Sequence, residues 1–182
     1  MEVIERGGEH CRVADPDWED LLDGSYSMRF GGRWNAPGSF PVIYLNADLD
    51  TARANARHLL TERLRGQPFM AEDLDPAQLP VLVWAAAPAR RYLDVVTRDG
   101  IVANGLPTTY PLDESGQVVP RTRCQPIGQG AWEGGLPGVA GRPAVESAPP
   151  TGEELAFFDR HEVELEVTLV QPFEQWYGPF DW

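Results

Sequence analysis

Hydrophobic and polar positions along the chain alternate between short apolar runs and long polar stretches rich in Gly and Pro. Phe40 to Leu45 (FPVIYL) is an unbroken apolar run and predicts a buried strand. Val81 to Ala86 (VLVWAA) and Leu155 to Asp159 read the same way. Cys11 to Ala14 predicts a short strand ended by Asp15-Pro16-Asp17, after a loose polar start over residues 1–8. Val139 to Val145 is a weaker strand, interrupted by Gly141 and Pro143. Glu162 to Leu169 alternates strictly and predicts a half-buried strand with Glu162, Glu164 and Glu166 on its solvated side.

Leu49, Ala52, Ala56, Leu59 and Leu60 follow the spacing of a helix face. Asp48 or Asp50 caps that helix, which runs to about Arg65 before Gly66-Gln67-Pro68 stops it. Asn55 projects from the same face. Shorter helices are predicted over Ala71–Gln78 and Gln125–Glu133. Residues 15–35 read as a loop whose acidic start is a solvated turn and short helix, and 95–123 read as loop. The aromatic tail, Phe173 to Trp182, is expected to dock on the domain. The mixed order, with more strands than helices, predicts a single α+β domain over 1–182.

Composition narrows the chemistry. The formal net charge is -13, from 28 acidic and 15 basic residues. Nucleic acid is therefore an unlikely direct partner, because such binding rests on neutralising phosphates. An anionic membrane surface is disfavoured for the same reason. Every basic residue is Arg, which excludes a P-loop lysine, a Schiff-base lysine and a lysine general base. Cys11 and Cys124 are far apart and read as free thiols. With no apolar run long enough to span a bilayer and no basic-plus-apolar leader, a cytoplasmic location is expected. His10, His58 and His161 have no ligand spacing, so no metal is expected. His10 reads as a surface residue.

The most informative segment is RFGGRWNAPGSFPVIYL, Arg29 to Leu45. Gly31-Gly32 provides backbone N–H groups in a tight turn, and Arg33, Trp34 and Asn35 follow at once. Such a cluster suits an anion held beside a ring. On residue type alone, a turn with Trp34 plugging the core is the better explanation.

This segment resembles the signature of the RES domain family, toxins of bacterial toxin–antitoxin pairs. Arg12 stands where the family has its first hallmark arginine. Tyr44 ends a strand just before a helix, as in the family, and CQPIGQGAW (Cys124 to Trp132) resembles a later Gln-x-x-Gly segment. The resemblance runs from about Arg12 to Val145. It implies an ADP-ribosyltransferase-like fold, two small sheets packed face to face with an NAD cleft between them. It implies cleavage of the nicotinamide–ribose bond of NAD+, by phosphorolysis with inorganic phosphate or by hydrolysis. It further implies a helix-turn-helix antitoxin partner that often covers the site.

On the same basis Arg12 and Arg33 would bind the diphosphate or ribose, with Gly31, Gly32, Trp34 and Asn35 beside them. Tyr44 would stack on or orient the nicotinamide riboside, and Asn55 and Thr122 would contact the ribose or the nucleophile. Arg12, Arg29, Arg33, Arg121 and Arg123 are expected to converge on the cleft while acidic residues face outward. The chain departs from the family in three places. The family's catalytic glutamate is here Asn55, eleven residues after Tyr44; a tyrosine is Val13; a hallmark serine is Thr122. A carboxylate about 4 Å from a unit positive charge contributes about 4 kcal/mol at an effective dielectric of 20, about a thousandfold in rate. Glu62, two turns further along the helix, is too distant to substitute simply. Three readings stay open: another carboxylate acts, the enzyme is slow and tightly binding, or the site binds NAD, ADP-ribose or a related nucleotide without breaking it; an ADP-ribosyltransferase is a further alternative.

Overall fold

The structure is a computed structural model that describes residues 1–63, 75, 79–145, 147–160 and 165–177. The strands are β1 (Val3–Ala14), β2 (Val42–Asn46), β3 (Val81–Val95), β4 (Gly138–Gly141), β5 (Glu154–Phe158) and β6 (Glu166–Gln171). The helices are α1 (Ser25–Phe30), α2 (Leu49–Arg63), α3 (Arg98–Ala103), α4 (Arg121–Glu133) and α5 (Phe173–Trp176). The class is α+β, as the element pattern predicts.

All six strands belong to one sheet of order β1-β2-β5-β4-β3-β6, and β1 also pairs with β3. The ring β1-β2-β5-β4-β3 therefore closes on itself in a barrel-like sheet. The two separate sheets expected above are instead hydrogen-bonded into one. β3 makes the closure possible. It is long enough to pair with β1 along one edge while β6 and β4 share the other at Leu82–Ala86 and Leu93–Val95.

Residues 1–8, expected to be loose, form half of β1. Gly7 and Gly8 sit at an irregularity in the β1–β3 register, opposite Pro88 and Ala89. A Cβ on Gly7 would lie 2.5 Å from Ala89 Cα, so only glycine lets the strands approach here.

β2 and β5 separate two cores by alternation. Val42 and Tyr44 pack with Ala156 and Phe158 beside Trp34, Phe40 and Tyr110. Ile43 and Leu45 pack with Leu155 and Phe157 on the opposite side. Residues 42, 44 and 46 thus share a face with 154, 156 and 158, and Asn46 pairs directly with Glu154.

Asp48 is the cap of α2: its carboxylate accepts from Thr51 N–H (2.7 Å) and Thr51 Oγ1 (2.9 Å). Ala52, Ala56 and Leu60 are buried, but Leu59 is exposed, so the apolar stripe is narrower than its spacing implies. The described part of the tail, residues 173–177, docks as expected, and residues 178–182 lie outside the described residues. Phe173, Trp176 and Tyr177 pack against α2 and Leu82, and Arg53 Nη2 donates to Trp176 O at 2.9 Å.

Other expectations shift. Residues 15–35 contain α1, while the acidic stretch before it forms turns only. Residues 95–123 contain α3, and α4 begins at Arg121. β4 stops at Gly141, ahead of Pro143. β6 begins at Glu166, and Val167, Leu169 and Val170 are all exposed, so alternation there does not mark a buried face. Glu162, Glu164 and the Ala71–Gln78 helix lie outside the described residues apart from Asp75. His10 is buried rather than at the surface, with Nδ1 3.1 Å from Gly8 O.

Candidate functional site

A cleft of about 390 Å³ opens beside the α1–β2 loop. Gly31, Gly32, Arg33, Tyr44, Asn46, Asn55, His58, Arg121 and Glu154 line it, with Tyr26, Phe30 and Leu59 among its apolar wall. The GGRWN segment builds one side. Gly31 ends α1 at φ 76°, a left-handed conformation that favours glycine. A Cβ on Gly32 would collide with the Tyr44 hydroxyl. That hydroxyl accepts from Trp34 N–H (3.0 Å) and donates to Asn35 Oδ1 (3.0 Å). Burial raises the Tyr44 pKa well above its ordinary value, so the phenol keeps this donor.

Trp34 and Asn35 lie beneath the cleft instead of lining it. Trp34 is in the core, and the fully buried Asn35 donates to Ser27 O (2.7 Å) and Phe40 O (3.0 Å). A rigid loop needs its buried carbonyls satisfied, and Asn35 does this. The Gln-x-x-Gly segment clamps the same loop from α4. Gln125 Nε2 donates to Gly32 O at 3.1 Å, and Gly128 faces the Trp34 backbone so closely that a Cβ would clash.

Of the five arginines expected to converge, Arg33 and Arg121 line the cleft. Arg33 Nη1 donates to Val119 O (3.0 Å) and lies 3.7 Å from Cys124 Sγ. Arg12 is instead a buried clip: Nη1 and Nη2 donate to Asp23 O, and its guanidinium stacks on Trp18. Arg123 donates to Gly105 O, and Arg29 lies over the Phe30 ring. Thr122 is exposed on the first turn of α4, next to Arg121. Both thiols are buried and free; burial raises both pKa values, that of Cys11 to about 12.

Asn55 does reach the cleft. Its Nδ2 donates to Asn46 Oδ1 (2.7 Å) and to Glu154 Oε1 (2.8 Å). Asn46 Nδ2 donates in turn to Cys11 O at 3.0 Å, which fixes the direction of both amides. Glu154 is the residue that sequence reasoning missed. It is the only carboxylate among the described residues lining the cleft, contrary to the expectation that acids face outward. Burial raises its pKa, while the Asn55 hydrogen bond and Arg33 act against that rise. The signal was present: Glu154, the second of two adjacent acids, directly precedes the apolar run LAFF, one residue before the predicted strand. Neighbouring Glu153 pairs with Arg6 instead.

Among the described residues no three His, Cys, Asp or Glu gather as a metal site, and no helix is long and apolar enough to cross a membrane.

Comparison with known proteins places this geometry. The chain is 32% identical over 120 residues to the NAD(+) phosphorylases MbcT of Mycobacterium bovis and Mycobacterium tuberculosis. That match covers 62% of this chain and 55% of theirs, so it spans about half the length of these curated relatives. The crystal structure of the M. tuberculosis MbcT–MbcA toxin–antitoxin complex contains a chain of the same fold. It superposes with a TM-score of 0.72 at 21% identity, covering 96% of this chain and 91% of that one. The RES domain family model matches residues 10–180, nearly the whole chain, and the protein belongs to the RES domain family.

Proposed function

We propose that the protein cleaves the nicotinamide–ribose bond of NAD+ by phosphorolysis, as the toxin of a toxin–antitoxin pair. The observation that carries this reading is the cleft itself: two arginines, a glycine turn, a half-buried tyrosine and one carboxylate meet there, on the fold of a family with NAD(+) phosphorylase members. Arg33 and Arg121 hold the diphosphate or the attacking phosphate, with Gly31 and Gly32 allowing close approach. Tyr44 orients the nicotinamide riboside, and Asn55 faces the ribose. Arg12, Trp34 and Asn35 act as positioning residues, holding the loops that carry Arg33. Thr122 does not line the cleft but follows Arg121 in sequence, and its exposed hydroxyl would contact an incoming nucleophile.

In this reading the closed sheet is an ADP-ribosyltransferase-like scaffold with an NAD cleft. No metal takes part, and the protein acts in the cytoplasm. A helix-turn-helix antitoxin covers the mouth, where Tyr26, Phe30 and Leu59 are exposed. The test is incubation of the purified chain with NAD+, with and without inorganic phosphate, followed by chromatography of nicotinamide. Phosphate-dependent release is the expected result. Release independent of phosphate makes the protein a glycohydrolase. Binding without release, measured by calorimetry, moves it to an impaired NAD-binding module or a transferase.

A further inference from the structure

We propose that Glu154 is the catalytic anion of this cleft, its carboxylate placed by Asn55 to stabilise positive charge on the ribose as nicotinamide leaves. The proposal rests on the NAD+-cleaving reading above. When the ribose C1–N bond breaks, its electron pair goes to the ring nitrogen, which becomes neutral. Positive charge then spreads over C1 and the ring oxygen until a phosphate oxygen donates a pair to C1. Hydrogen phosphate later gives its proton to solvent, and Glu154 forms no bond and moves no proton.

Such a step needs a negative group beside C1, yet the charged side chains along the cleft other than Glu154 are Arg33 and Arg121. These suit the phosphates and would oppose a cationic sugar. Asn55 is neutral, but its amide is aimed by Asn46 so that a hydrogen meets Glu154 Oε1. Charge and hydrogen-bond donor thus sit on β5 and α2, facing one another across the cleft floor. Opposite Glu154 on the far side, β4 presents Gly141, which adds no side chain. Preorganised charge at the developing cation is worth far more in a buried site than in water.

A purely structural role is separable from this one. Glu154→Gln keeps an oxygen to accept from Asn55 and removes only the charge. The expected result is a fall in kcat of about 100- to 1000-fold, with KM for NAD+ within about threefold. Asn55→Glu combined with Glu154→Gln reverses the pair while keeping one carboxylate, and should recover at least about tenfold over Glu154→Gln alone. Binding adds an independent reading: the wild type should prefer NAD+ to NADH, whose nicotinamide ring is uncharged, and Glu154→Gln should lose that preference.

A wild type that cleaves NAD+, with Glu154→Gln cleaving equally well, overturns the role of Glu154 and leaves the proposed function intact. A wild type that cleaves nothing overturns the proposed function; in that case loss of the NAD+ preference in Glu154→Gln still supports the placement of the charge, and unchanged preference overturns it. If Glu154→Gln fails to fold by thermal melting, the reversed pair decides: a folded, inactive protein overturns the proposal.

Discussion

Glu154 titrates between opposing influences, and their balance has two measurable signs. Burial raises its folded pKa above the ordinary 4.5, while Asn55 and Arg33 pull against the rise. The folded chain therefore holds this proton more tightly than the unfolded chain. Its contribution to stability is present below the ordinary carboxylate value and is lost as pH rises through the folded pKa. Denaturant titration should find Glu154→Gln at least as stable as the wild type near neutral pH, with any gain shrinking under acid. Catalysis has the reverse dependence, because only the ionised form stabilises a cation. The acidic limb of kcat/KM, which reports the free enzyme, should lie above the ordinary carboxylate value and vanish from the residual activity of Glu154→Gln. Arg33, Arg121 and His58 also face this group across the cleft, and Tyr44 stays protonated beside it. The single change Asn55→Glu sets two carboxylates where one hydrogen bond now stands. It should lower stability by about 1–3 kcal/mol, read by thermal melting, and should not raise turnover. The sequence reading found the missing charge at Asn55 and not its replacement, because the partner lies 99 residues away in the chain.

Elements were legible where a local pattern suffices. The apolar strands β2 and β5, the first six residues of β3 and helix α2 follow from periodicity or from apolar runs, while the reading of α4 missed its first turn from Arg121. α3 was not legible, because Asp99-Gly100 reads as a turn. Its start depends on contacts: Asp94 Oδ1 accepts from Val96 N–H and Thr97 N–H, and Thr97 Oγ1 caps Gly100 N–H. A Cβ on Gly100 would run into Asp94, so the apparent helix breaker is what lets the helix pack. The same logic governs α4. Gly128→Ala should push α4 away from the Trp34 backbone and weaken the Gln125 hold on Gly32. We expect a loss of about 1–3 kcal/mol in melting experiments, together with a larger KM for NAD+ as the loop carrying Arg33 loosens.

For the molecule as a whole, the acidic net charge is compatible with the proposed anionic substrate because charge is sorted by place. Arg33 and Arg121 line the cleft, while the excess of acids is spread elsewhere. The closed ring of strands was not legible, since closure depends on β3 being long enough to serve three neighbours, and only part of it reads as a strand. The family resemblance singled out a loop that borders the cleft, but not how many of its residues lie underneath it. The docked tail belongs to the fold: Trp176 is buried and its carbonyl accepts from Arg53. Trp176→Ala should cost about 3–5 kcal/mol and expose α2 to hydrogen exchange, measured amide by amide.

Closure of the ring also orders events in time. β5 lies between β2 and β4, so the ring stays open until the last third of the chain has been made. A chain paused during translation before residue 154 would already hold Arg33, Tyr44 and Asn55 but lack the one cleft carboxylate. Synthesis at about 5–20 residues per second then sets a short interval in which the nascent chain lacks that carboxylate. On the proposed function, an antitoxin that captured the open form would meet its target before the target could act.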